Sequence, residues 1–217
     1  MKWSEQAWNN MIPTFDKIIA HPFILELSNG SLPHEKFEFY IQQDAYYLAD
    51  FGKILAGIST KLEDPEHVHS FLSFASNTII VEQILHRTYL EKLNLNQKRE
   101  ISPSCLLYTS FLSKILNLNS IEEIIAAVLP CFWIYKEVGD SILSRQSQDH
   151  NPYQNWINTY AGEEFGLAVQ KAIEIGDYYA AKATDEMRHN MTNSFLLASK
   201  MEWLFWDSAY NLEQWKI

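Results

Sequence analysis

The chain has 217 residues, is 47% hydrophobic and 14% aromatic, and carries a formal net charge of −10. That length suits one sizeable core rather than two, and the acidic balance argues against nucleic acid and anionic membrane surfaces as partners. The longest apolar run, Ile124 to Tyr135, is too short to span a bilayer, and the opening MKWSEQAWNN lacks the apolar core of a signal peptide, so the expectation is a single cytoplasmic domain over residues 1–217.

With 7 Gly and 7 Pro, the chain suits long helices with short connections. Ser31-Leu32-Pro33 reads as a helix start, with Pro33 in the first turn and the helix running to about Lys61. Asp64-Pro65 breaks it. A second segment, Glu66 to Leu93, places Val68, Phe71, Leu72, Ala75, Ile79, Glu82, His86 and Tyr89 on one face. Ser102-Pro103 opens another helix. Ser120-Ile-Glu-Glu123 is a capping box that starts a helix through about Leu143. Pro152 begins the next, and Thr184 caps a last one ending near Trp215. Strand-like alternation is hard to find, so the predicted fold class is all-α, a bundle of roughly seven helices.

Three polar groups interrupt apolar faces. Phe37, Ile41, Asp44, Leu48 and Phe51 share one helical face, and the middle member is a carboxylate. Burying an unpartnered charge costs several kcal/mol or more, so Asp44 needs either a partner or a ligand. Glu202 sits in the same way among Phe195, Ala198, Phe205 and Ala209, with Trp206 one turn on. Cys131 follows Pro130 inside a helical run, where the missing N–H should kink the helix; Tyr135 is one turn beyond. Each has a plainer interpretation: a small core thiol, or an acid paired with a base, tyrosine or backbone. Glu82 and His86, four apart, suit a mutual hydrogen bond. Glu186-Met-Arg-His189 fits the E-x-x-H spacing of di-iron bundles, but no second copy accompanies it, and a solvated helix start is the expectation there. The cysteines, Cys105 and Cys131, form no metal motif, and a disulfide is not expected.

Taken in order, LPHEKFEFYIQQDAYYL, SPSCLLYTSFL, LPCFWIYKEVG, NPYQNWINTYAGEEF and MEWLFWDSAY resemble the TenA/THI-4 family, the thiaminase II enzymes. The match runs from about His21 to Trp215. QDxYYL together with LPCxWxYxEVG carries most of its specificity. The resemblance implies a haem oxygenase-like all-α fold, a homotetramer, and no metal or organic cofactor. It implies hydrolysis at the exocyclic methylene of an aminopyrimidine, either 4-amino-5-aminomethyl-2-methylpyrimidine or thiamin, giving hydroxymethylpyrimidine for thiamin salvage. By position it implies Cys131 as nucleophile, Glu202 as catalytic acid/base and Asp44 as the group that holds the pyrimidine amine. Tyr47, Tyr108, Tyr135 and Tyr160 would line the site, and an apolar wall containing Trp206 would favour the neutral acid of Glu202. Cys105 has no counterpart role. Phe132 and Lys136 stand where the family often has tyrosine, a departure at the pocket rim.

These residue types suit that chemistry. Direct displacement at the methylene is slow. A thiolate that adds to the neighbouring electron-poor ring carbon lets ring electrons expel the amine, after which water adds and the thiolate leaves. Three rival readings are a metal-dependent oxidase using Glu82, His86, Glu186 and His189, a non-catalytic pyrimidine-binding or regulatory protein, and a helical interaction module.

Overall fold

The structure is a computed structural model that describes residues 1–85, 99–146 and 150–217, the side chains of 81–85 excepted. The described residues form helices and no strands. In chain order the helices are α1 (Trp3–Ile19), α2 (Pro22–Asn29), α3 (His34–Ser59), α4 (Pro65–Leu85), α5 (Pro103–Leu118), α6 (Ile121–Arg145), α7 (Gln154–Ala161), α8 (Glu163–Lys182) and α9 (Asp185–Tyr210). The all-α class expected from the sequence is what the chain adopts. The helices cluster into two compact units, Met1–Leu32 with Glu122–Trp206, and Pro33–Ile121 with Asp207–Ile217.

In the first unit, α6 contributes an almost wholly buried run from Ile124 to Pro130, as a helix apolar on every face requires. It starts one residue after Ser120, as the capping box predicts, and continues through Pro130. The α1 start is fixed to α8 by Ser4, whose N–H and hydroxyl both donate to Asp177, each at 2.9 Å. The Trp3 indole donates to Thr192 of α9 at 3.0 Å. Asn151 donates to the Leu27 carbonyl at 2.9 Å and the Ser28 carbonyl at 3.1 Å, tying the end of α2 to the segment before α7.

The helix expected from Pro152 is two helices. It starts at Gln154, and Gly162 adopts an extended conformation (φ −62°, ψ 153°) that ends α7 and starts α8. The end of α7 lies so close to α6 that a Cβ on Gly139 would be 2.8 Å from both the Ala161 nitrogen and the Tyr160 carbonyl carbon.

In the second unit, α4 and α5 pack on α3. Pro33 is the N-cap of α3 rather than a first-turn residue. Asp64 accepts from Glu66 N–H at 2.9 Å and His67 N–H at 3.3 Å, which caps α4. Phe71 and Ala75 are buried as expected, whereas Leu72 and Ile79, assigned to the same face, are 49% and 47% exposed. The buried stripe of α4 runs through His67, Ser70, Phe71, Phe74 and Ala75 towards Gly52 of α3 and excludes Leu72 and Ile79. The helix α9 ends at Tyr210, short of the expected Trp215. Leu212 takes a left-handed conformation (φ 52°), Leu212 N–H donates to the Ala209 carbonyl and Glu213 N–H to the Ser208 carbonyl. That is a Schellman ending with leucine where glycine is usual.

The Gly139 contact generates a test. Alanine would gain up to about 1 kcal/mol in helix propensity, but the clash is with backbone, which yields poorly, and overpacking of this kind costs about 1–3 kcal/mol. Gly139→Ala should therefore lower the melting temperature measured by differential scanning calorimetry. An unchanged or raised value would mean that α7 has room to move.

Candidate functional site

The α9 face reads as the sequence predicts: Phe195, Ala198, Glu202, Phe205 and Ala209 are all buried, and Glu202 is only 1% exposed. One turn on, Trp206 is fully buried and its ring lies 5.0 Å from that of Tyr135 on α6. Tyr135 also meets Tyr160 of α7, centroid to centroid 4.8 Å. Trp156, which periodicity did not single out, completes this cluster at 4.6 Å from Tyr160 and 5.9 Å from Trp206. Its spacing of four from Tyr160 in NPYQNWINTY was the available signal. The first unit thus brings together Tyr135, Tyr160 and Trp206, with Glu202 one turn from Trp206 and Cys131 one turn from Tyr135. Cys131 forms no disulfide and is partly exposed. Pro130, just before Cys131, has no N–H and makes no i−4 bond to the Ala126 carbonyl. Lys136 bridges to Asp140 on its own helix and reaches the Ala161 carbonyl at 3.5 Å, so the departure from tyrosine there places a cation at the α7 end.

The second unit holds the other predicted residues. Asp44 is 3% exposed, and Phe37, Ile41, Leu48 and Phe51 around it on α3 are buried too. Tyr47 stacks on Phe51 at 5.2 Å and meets Tyr108 of α5 at 4.9 Å. Ser102 is the N-cap of α5 as the sequence predicts, accepting from Cys105 N–H at 3.2 Å. Cys105 is buried and its thiol approaches the Gln43 carbonyl at 3.4 Å. Burial pushes that thiol well above its ordinary range, and the negative charges of Asp44 and then Asp50 push it the same way. A thiol held neutral is a poor nucleophile, so Cys105 is unsuited to that role.

Of the four residues in the metal reading, two are described in full. Glu186 and His189 are exposed on the first turns of α9, where the Thr184 hydroxyl accepts from Met187 N–H at 3.2 Å. His86 and the side chain of Glu82 lie outside the described residues. Among the described residues, no group of three or more His, Cys, Asp or Glu side chains is placed to hold a metal ion, and no helix is long and apolar enough to cross a membrane.

Comparison with known proteins adds a family. Residues 8–212 match the TENA/THI-4/PQQC family. An aminopyrimidine aminohydrolase of Bacillus subtilis (strain 168) is 33% identical over 219 residues, covering 99% of this chain and 92% of that protein. A thiamine biosynthesis multifunctional protein of Corynebacterium glutamicum is 36% identical over 192 residues, 88% of this chain and 25% of that protein. The solved structure of a TenA homologue from P. horikoshii OT3 superposes with a TM-score of 0.87 at 28% identity, covering 97% of this chain and 99% of that one.

The environment of Cys105 makes stability depend on alkaline pH. The unfolded chain ionises this thiol above its ordinary value of 9.0, whereas the folded chain keeps it protonated. Its contribution is fully present below that pH and is lost as pH rises, at up to about 1.4 kcal/mol per pH unit. In urea unfolding between about pH 8 and 10.5, wild type should lose more stability than Cys105→Ala as the thiol titrates. Parallel pH profiles for the two proteins would contradict the assignment.

Proposed function

This chain belongs to the TENA/THI-4/PQQC family, and from that premise we propose that it is an aminopyrimidine hydrolase of thiamin salvage. The observation that carries the proposal is full-length similarity, at 33% identity, to a protein named aminopyrimidine aminohydrolase. The likeness to a thiamine biosynthesis protein supports the pathway. The family match crosses both compact units, which supports one catalytic domain over residues 1–217. On this reading the substrate is 4-amino-5-aminomethyl-2-methylpyrimidine or thiamin, the product is hydroxymethylpyrimidine, and the enzyme is cytoplasmic.

The proposed chemistry divides among named groups. The Cys131 thiolate adds to the ring carbon beside the substituted one, forming a C–S bond and placing an electron pair in the ring. That pair expels the protonated amine, or the thiazole of thiamin, as the methylene C–N bond breaks. Water adds to the exposed methylene, its surplus proton is taken up, and the C–S bond breaks to restore the aromatic ring and the thiolate. Glu202 moves the protons, a contribution typically worth 10²–10⁴-fold. The partial exposure of Cys131, against the buried neutral Cys105, supports Cys131 as the nucleophile. Asp44 accepts from the exocyclic amine, and Tyr47, Tyr108, Tyr135, Tyr160 and Trp206 enclose the flat ring. No step calls for a metal or organic cofactor. Assembly as a homo-oligomer, tetrameric by resemblance, belongs to the same reading, and the exposed Leu72, Ile79 and Ile80 of α4 support it.

Steady-state turnover of both substrates in the presence of chelator tests this directly. Wild type should release hydroxymethylpyrimidine, and Cys131→Ala should fall to background. Glu202→Gln should lose about 10²-fold or more in kcat with a smaller change in KM. Turnover by Cys131→Ala near the wild-type rate would remove the thiol from the mechanism. Tight binding of hydroxymethylpyrimidine by a wild type that turns over neither compound would favour a regulatory binding protein instead.

A further inference from the structure

We infer that Gln43 and Glu213 are positioning residues that fix where α5 presents Tyr108 against Tyr47 of α3, the helix that also carries Asp44. The inference rests on the roles proposed above for those three residues. It starts from the hydrogen-bond requirements of a helix start, where the first N–H groups have no partner within the helix.

In α5 nearly all of them are satisfied, and two are satisfied from remote parts of the chain. Ser102 N–H donates to Gln43 Oε1 at 2.7 Å. Pro103 has no N–H. Ser104 N–H donates to Glu213 Oε2 at 2.9 Å. Cys105 N–H is held by the Ser102 hydroxyl at 3.2 Å and Leu106 N–H by the Ser102 carbonyl at 3.0 Å. The Gln43 amide works at both ends, because Nε2 also donates to the Glu100 carbonyl at 2.9 Å. Its own main-chain carbonyl accepts the Cys105 thiol. Gln43 is fully buried, so water cannot replace these bonds and their loss would leave backbone groups unsatisfied.

The same short stretch is gripped from two further directions. Arg99 N–H donates to Gln42 Oε1, and the Tyr46 hydroxyl donates to the Arg99 carbonyl, each at 2.9 Å. The Trp215 indole donates to the Ile101 carbonyl at 2.9 Å. Glu213 arrives at α5 because the left-handed Leu212 turns the chain after α9 and Glu213 N–H closes on the Ser208 carbonyl at 2.9 Å. The helix α5 is therefore restrained along its axis and about it. Tyr108, one turn in from the gripped end, lies on the buried face with Cys105, and its contact with Tyr47 follows from that placement. Gln43 immediately precedes Asp44, so one turn of α3 carries the acid and also holds the helix that carries Tyr108.

The experiment compares wild type, Glu213→Gln, Glu213→Ala and Gln43→Met by steady-state kinetics on 4-amino-5-aminomethyl-2-methylpyrimidine. Amide hydrogen exchange across Ser104–Leu112 is the readout that needs no turnover. Glu213→Gln keeps an oxygen acceptor for Ser104 and should match wild type in both. Glu213→Ala should raise KM by about five- to tenfold with kcat within about twofold, and should speed exchange in the first turns of α5. Gln43→Met, which loses a donor and an acceptor at once, should raise KM further. The inference is overturned if Glu213→Ala keeps wild-type KM and wild-type exchange, if its melting temperature falls without a change in KM, or if Gln and Ala are equally impaired. A wild type that fails to turn over substrate would defeat the functional proposal, and exchange in the Glu213 pair would then decide the placement of α5 alone.

Discussion

A carboxylate on the apolar face of a long helix is the constraint around which the second unit is organised. Asp44 is 3% exposed and flanked on its face by Phe37, Ile41, Leu48 and Phe51. An ionised carboxylate in such surroundings is costly to desolvate, and mutations or folding fluctuations that leave it without compensation are correspondingly expensive. Its charge is felt at the Cys105 thiol, which burial and Asp44 together hold in the neutral form. Next to it, the buried Gln43 amide bonds main-chain atoms on both sides of Ile101. The proposed recognition of a polar ring would gain by such rigidity, since groups already in place lose little freedom when ligand binds.

The first unit solves a different problem. Here the polar groups are few and the aromatic groups many: Tyr135 contacts Tyr160 and Trp206, and Trp156 contacts both of the latter. Large rings with few rotamers enclose a flat ligand at low entropic cost. Gly139 permits the close approach of α7 that brings Tyr160 into this cluster. The two cysteines show how environment rather than residue type assigns chemistry. One is fully buried, kept protonated and hydrogen-bonded to a main-chain carbonyl; the other is partly exposed beside a proline that removes a helical hydrogen bond.

What was legible in the sequence was what local periodicity encodes. The α3 and α9 stripes, with Asp44 and Glu202 in their centres, follow from spacing alone because each lies within one helix. The starts of α5, α6 and α9 follow from Ser102, Ser120 and Thr184. Four features were not legible. The break at Gly162 depends on how close α7 must come to Gly139, a contact between different helices. The early end of α9 uses Leu212 where glycine would have been the signal. The breadth of the α4 stripe depends on packing against α3, which leaves Leu72 and Ile79 exposed. The grip on α5 joins residues 59 and 109 positions apart, beyond the reach of any local pattern. The proposal that the anomalous residues share one chemistry came from the family resemblance and not from periodicity.

The central claim is that the buried acid of IQQDAYYLADF recognises the pyrimidine on which Cys131 acts. Isothermal titration of hydroxymethylpyrimidine into Cys131→Ser, and into Cys131→Ser carrying Asp44→Asn, tests it without interference from turnover. The account predicts that the single variant binds and that the added Asp44→Asn weakens binding by about tenfold or more, the loss expected for a charge-assisted hydrogen bond to ligand. Equal affinity in two proteins with equal melting temperatures would contradict it and return Asp44 to a purely structural role.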